Sequence, residues 1–139
     1  MKKKKGNKLK KTKSLNILVA DDDEGMRKMF MKWLSVEEHG VKTASNGEKA
    51  LELIKKEYFD VVFLDVIMPG RPFLSVLEDI KKNSQKTQII MMTGRMLDGN
   101  FRREVKQKGA SQQLQKPFTI EDVNNCLAKI MVGLDPPTY

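Results

Sequence analysis

Apolar and polar positions repeat along the chain with two periods. "NILVA" (16–20) is a short apolar run of strand formers, and behind it Met26, Met29, Phe30, Trp33 and Leu34 recur at i, i+3, i+4, i+7 and i+8. That spacing marks one face of a helix. "VKTA" followed by "SNGEKALELIKKEY" repeats the pattern, with Asn46-Gly47 as a turn and Ala50, Leu51 and Ile54 as the inward stripe. "DVVFLD" (60–65) is apolar enough to be covered on both faces, as parallel strands are, and "FLSVLEDIKK" follows as a helix. "QIIMMTG" (88–94) predicts a fourth strand ending at Thr93, and "MLDGNFRREVKQKG" a helix whose start is blurred by Gly99 and Asn100. "SQQLQK" is a fifth, unusually polar strand closed by Pro117. "TIEDVNNCLAKIM" is the last helix, with Thr119 as its N-cap and Val123, Cys126, Leu127 and Ile130 on one face. Five strands alternating with five helices imply an α/β fold, a five-stranded parallel sheet doubly wound by helices on both faces.

The 139 residues fit a single domain, and 40% hydrophobic residues supply a core without disulfides or structural metal. The one cysteine, Cys126, has no partner in the chain, which favours a reducing, cytoplasmic setting and a role as a small core residue. Charge is uneven. Residues 1–14 hold eight lysines and no acid, and the remaining 18 basic residues balance the 18 acids. Residues 1–14 therefore read as a disordered basic arm, 15–132 as the folded domain and 133–139 as a frayed tail. "LNILVA" is too short for a signal peptide and no apolar run approaches a membrane span. With nothing after Tyr139 to supply an output domain, the chain reads as a stand-alone module.

In a doubly wound sheet the carboxyl ends of the strands share one edge, and ligands bind in the crevice there. The first strand delivers Asp21 and Asp22 to that edge, the third Asp65, the fourth Thr93 and the fifth Lys116. Clustered carboxylates raise one another's pKa unless a cation joins them, and hard oxygen donors at this spacing suit Mg²⁺. With the ion in place, Asp65 is a nucleophile toward phosphorus, while Lys116 and the Thr93 hydroxyl stabilise the transferring oxygens. The implied product is an aspartyl phosphate.

"ILVADDDEGMRKMF", "VVFLDVIMPG", "IIMMTG" and "QKPF" stand in an order and at spacings similar to those of the receiver domain of two-component response regulators. The resemblance covers residues 15 to about 132. It implies a flavodoxin-like sheet with strand order 2-1-3-4-5, Asp65 as phosphoacceptor, Asp21 and Asp22 as the acidic metal pair, Thr93 as the switch hydroxyl and Lys116 as the phosphate-contacting lysine. The backbone carbonyl of Ile67 would complete the protein ligands of Mg²⁺. Implied partners are a histidine kinase or phosphotransfer protein and a downstream protein, and the chain would assist only its own phosphorylation and dephosphorylation rather than act as an enzyme. Three positions depart from the family pattern. Arg71-Pro72-Phe73 replaces a Met-Asp-Gly-like turn, Gln113 stands where the family carries an aromatic residue, and Arg95 lies beside the donor access that Gly94 would leave open.

Taken alone, an acidic run after a strand is a solvated helix N-terminus, favoured by the helix dipole, so the weight rests on the joint placement of five residues at four strand ends. His39, at the end of the first helix, reads as a surface residue, and Trp33 and Phe30 as packing. Two other readings compete: a binding module of the same fold without regulated switching, and a phosphatase of the haloacid dehalogenase type. The second requires Asp-x-Asp-x-Thr after the first strand, where "DDDEG" has Gly25 in place of threonine. The lysine arm offers weak contact with nucleic acid or an anionic surface, with no recognition helix behind it, or is simply a solubilising tail.

Overall fold

Among the residues that the computed structural model describes, 14–94 and 98–134, five strands alternate with five helices. The strands β1 (Asn16–Ala20), β2 (Gly40–Ala44), β3 (Val61–Asp65), β4 (Gln88–Thr93) and β5 (Ala110–Gln115) form one parallel sheet in the order β2-β1-β3-β4-β5. The helices are α1 (Glu24–Val36), α2 (Gly47–Lys56), α3 (Phe73–Asn83), α4 (Gly99–Gln107) and α5 (Ile120–Leu134). The chain reverses its direction of winding between β1 and β3, so this order opens a crevice at their carboxyl ends. Of the basic arm only Ser14 is described, and residues 135–139 likewise lie outside the described residues.

Period-two alternation sends the side chains of each central strand to two cores. Leu18, Ala20, Val62, Leu64, Ile89 and Met91 meet the stripes of α2 and α3 and Val105 of α4. Ile17, Val19, Val61, Phe63, Ile90 and Met92 meet Phe30 and Leu34 of α1 and Val123, Cys126, Leu127 and Ile130 of α5. Every residue of β3 is buried, the central position its apolar run predicts. The Phe30 ring lies 4.9 Å from that of Phe63 and 5.7 Å from that of Phe118, and Trp33 stacks on its edge, so the aromatic residues of α1 do pack. β5 tolerates its glutamines because it is the outer strand. Leu114 is its one buried residue, and the half-buried Gln112 amide is satisfied by the Cys126 carbonyl at 2.9 Å.

Helix starts follow side-chain chemistry. Asp23 accepts from Gly25 N–H to cap α1, and Asp98 accepts from Phe101 N–H to cap α4, which resolves the start left blurred by Gly99 and Asn100. Asn46 is a cap rather than half of a turn, because its side chain accepts from Lys49 N–H at 2.9 Å. Thr119 and Asp122 cap α5 reciprocally, each side chain accepting from the other's backbone N–H. His39 departs from expectation. It is 8% exposed, because Leu15 N–H donates to its Nδ1 at 3.0 Å as the chain enters β1. This places it at the amino end of the strands, opposite the crevice.

Candidate functional site

The crevice gathers the five predicted residues from four strand ends. Asp21, the first residue after β1, is fully buried and held from several sides. Its N–H donates to Ala44 of β2, its Oδ1 accepts from Asp23 N–H at 2.9 Å, and Arg27 of α1 donates to its backbone carbonyl at 2.7 Å. Asp22 is exposed and Asp65, the last residue of β3, is 6% exposed. One carboxylate oxygen from each of the three lies within 4.8 Å of the others. Lys116, just past β5, spans the two buried acids, with Nζ 2.9 Å from Asp21 Oδ2 and 3.3 Å from Asp65 Oδ2. The peptide bond from Lys116 to Pro117 is cis. Thr93 ends β4, is 2% exposed, and accepts the Lys116 backbone N–H on its carbonyl at 2.7 Å, which ties the two strand ends together.

Burial, and then the neighbouring charge of Asp21, raise the pKa of Asp65, against the opposing pull of Lys116 and the Ile67 N–H. Burial pulls the Lys116 ammonium down, but its hydrogen bond to Asp21 and the charges of both carboxylates together outweigh it, and its pKa ends raised. Among the described residues, three converging carboxylates thus face one bridging lysine, while Arg27 is engaged with a backbone carbonyl. That excess of negative charge, on hard oxygen donors and with Asp22 open to solvent, fits a divalent cation that retains water ligands.

Beyond Asp65, Ile67 N–H donates to Asp65 Oδ1 at 3.3 Å, while the Ile67 side chain is 57% exposed at the rim. Gly94 leaves open space where a side chain would stand. Arg95, beside it, lies outside the described residues. The contacts of two arginines, Arg27 and Arg71, were not foreseen from sequence. Arg27 sits one helical turn past the Asp23 cap, a position with no local signal for a bond to Asp21. Arg71 contacts Ser75 and Asp79, and its i, i+4, i+8 spacing with them is the signal that would have found it.

A lysine-bridged carboxylate cluster at the switch point of a parallel sheet puts the chain in the class of doubly wound α/β folds that carry their chemistry at the strand ends. The profile of the response regulator receiver domain matches residues 17–128, and the chain belongs to that family, the receiver domain of two-component systems. Over 115 residues it is 30% identical to sporulation initiation phosphotransferase F of Bacillus subtilis, covering 83% of this chain and 92% of that protein. It is 34% identical over 124 residues to the probable transcriptional regulator ycf27 of Porphyra purpurea, covering 88% of this chain and 49% of the relative, so it spans about half of that protein. Among solved structures, chemotaxis protein CheY4 of Vibrio cholerae superposes with a TM-score of 0.78 at 28% identity, covering 85% of this chain and 99% of that one. No helix among the described residues is long and apolar enough to cross a membrane.

Proposed function

We propose that the protein is a phosphorylation-controlled switch whose acceptor is Asp65. Asp21, Asp22, Asp65 and the backbone carbonyl of Ile67 hold Mg²⁺, which supplies charge neutralisation for the phosphoryl oxygens and keeps Asp65 ionised. An Asp65 carboxylate oxygen attacks the phosphorus of a phosphohistidine on a kinase or phosphotransfer protein. The P–N bond breaks, the imidazole leaves with its electron pair and takes a proton from solvent, and an acyl phosphate forms. Lys116 holds one non-bridging oxygen and the Thr93 hydroxyl donates to another. The protein assists its own phosphorylation and dephosphorylation and turns over no separate substrate. A downstream protein reads the change. The free, buried Cys126 supports a cytoplasmic setting, and residues 1–14, with eight lysines, add weak contact to nucleic acid or an anionic surface.

One observation carries the reading: three carboxylates converge within 4.8 Å and Lys116 bridges the two buried ones. The haloacid dehalogenase reading has no such support, because Gly25 stands in α1 where its threonine belongs. Intact mass after incubation with acetyl phosphate and Mg²⁺ tests the proposal. Wild type gains one phosphoryl group only with the metal, and Asp65→Asn gains none; equal labelling of that variant overturns the assignment.

A second reading, a receiver-fold binding module without switching, is favoured by Gln113, which is exposed on β5 in place of an aromatic residue. Beryllofluoride separates the two. A switch shifts amides through α4 and β5, and much less in Thr93→Ala, whereas shifts confined to the Asp65 loop identify the non-switching module.

A further inference from the structure

The loop from Val66 to Pro72 carries Ile67 between β3 and α3. Its leading end is fixed by the sheet and the acceptor: Val66 N–H donates to the Met92 carbonyl at 2.9 Å and Ile67 N–H to Asp65 Oδ1 at 3.3 Å. Among the described residues, its trailing end is tied through the backbone only to its own helix, by the bond from Val76 N–H to the Pro72 carbonyl at 3.2 Å, and to no strand. Gly70 has φ +96°, a left-handed conformation that leaves a pivot in the loop, and its missing Cβ would meet only open space. Pro72 occupies the N-cap of α3 and makes no side-chain cap bond there.

Arg71 stands between pivot and cap, and its guanidinium reaches two helices. Nε donates to Ser75 Oγ at 3.2 Å, and Nη2 donates to Ser75 Oγ and, at 3.3 Å, to the Ser75 carbonyl. Nη2 also pairs with Asp79 Oδ2 at 2.5 Å, and Nη1 with Glu48 Oε1 at 3.3 Å. Ser75 and Asp79 belong to α3, whereas Glu48 belongs to the first turn of α2. The bridge is feasible because these helices approach closely: a Cβ on Gly47 would come within 2.6 Å of Val76 Cγ2. Arg71 and Asp79 also hold each other charged. Their hydrogen bond pushes the guanidinium pKa up and the carboxyl pKa down. A planar fork meets this set of acceptors at once, which an ammonium does not.

We propose that Arg71 is a positioning residue for the metal site: by clasping Ser75, Asp79 and Glu48 it holds the trailing end of the β3–α3 loop and so presents the Ile67 carbonyl to the divalent cation. The inference rests on the reading of Asp65 as a Mg²⁺-dependent acceptor. Releasing the clasp lets the loop turn about Gly70, so the cation loses a pre-placed carbonyl while Asp65, Asp21 and Lys116 stay on their strand ends. The loss then falls on Mg²⁺ affinity rather than on the phosphoryl-transfer step at saturating metal.

Calorimetric titration of the full chain with Mg²⁺ alone tests this. Arg71→Met should weaken Mg²⁺ binding about tenfold, the lower end for residues that orient metal ligands from outside. The Mg²⁺ concentration that half-saturates phosphorylation by acetyl phosphate should rise by the same factor. The rate at saturating Mg²⁺ should stay within about twofold of wild type. Arg71→Lys should recover only part of the affinity. If Arg71→Met fails to fold, Glu48→Gln combined with Asp79→Asn removes the acceptors instead, with the same expected loss. A folded variant with wild-type Mg²⁺ affinity, or one slowed equally at saturating Mg²⁺, overturns the role of Arg71. Failure of wild type itself to bind Mg²⁺ or label Asp65 would instead overturn the reading beneath it.

Discussion

Lys116 Nζ stands 2.9 Å from Asp21 Oδ2 across 95 positions of sequence, and the same ammonium reaches Asp65 at 3.3 Å. The strand that carries it is the outermost on one side of the sheet, so the lysine extends over the end of β3 to reach the acid behind β1. Lys116→Met should leave two buried carboxylates facing each other without that cation. The expected loss in EDTA is on the order of 2 kcal/mol, below the ~3–5 kcal/mol of a fully buried pair, because the lysine side chain is 24% exposed. Urea unfolding checks this, and added Mg²⁺ should restore part of the loss because it binds only the folded state. Unchanged stability in EDTA would show the bridge to be energetically idle.

Neighbouring acids should divide sharply in role. Asp22 belongs to the converging cluster, whereas Asp23 spends its side chain capping α1. Asp22→Asn should weaken Mg²⁺ binding in calorimetry with little effect on melting. Asp23→Ala should cost about 1 kcal/mol of stability, the usual worth of a cap, with Mg²⁺ affinity nearly kept. The reverse pattern would reassign the metal ligand.

Burial lowers the pKa of His39 below 6.5 despite the opposing charge of Glu37. The unfolded chain therefore takes up the proton first as pH falls. The contribution of neutral His39 is complete above pH 6.5 and declines below it, down to the depressed folded value. Protonation also removes the Nδ1 acceptor of Leu15 N–H. His39→Asn keeps an acceptor near that position without titrating, so wild type should lose more melting temperature than the variant between pH 7 and pH 5. Parallel losses would exclude His39 as the cause.

Gly47 admits the approach of α3 that the Arg71 clasp uses. A methyl group there meets Val76 Cγ2 at 2.6 Å, so Gly47→Ala should destabilise by about 1–3 kcal/mol, the usual cost of overpacking. Val76→Ala on the same background should recover part of that loss. If Val76→Ala adds its own full cost instead, the two sites are uncoupled.

Periodicity carried the architecture. β3 reads as a buried strand because all its side chains are apolar until Asp65, and α1 reads as amphipathic because Phe30 and Leu34 recur at helical spacing; both patterns lie within a few residues of chain. Parallel strands joined by helices must bring their carboxyl ends to one edge, so that rule alone placed Asp21, Asp22, Asp65, Thr93 and Lys116 together. Side-chain partnership is a different kind of information. That Lys116 bridges Asp21 and Asp65, that Arg71 reaches Glu48 on another helix, and that Leu15 covers His39 across 24 positions depend on how packed layers approach one another. The local pattern around His39, a lone polar residue at a helix end, is that of an exposed residue. Its burial was decided by the segment entering β1. Sequence by itself determined which residues share a face or an edge, because faces and edges follow from local dihedral periods. Only the tertiary structure decided which of them touch, because the close approach of α2 to α3 and the reach of a β5 lysine over β3 are set by core packing far along the chain.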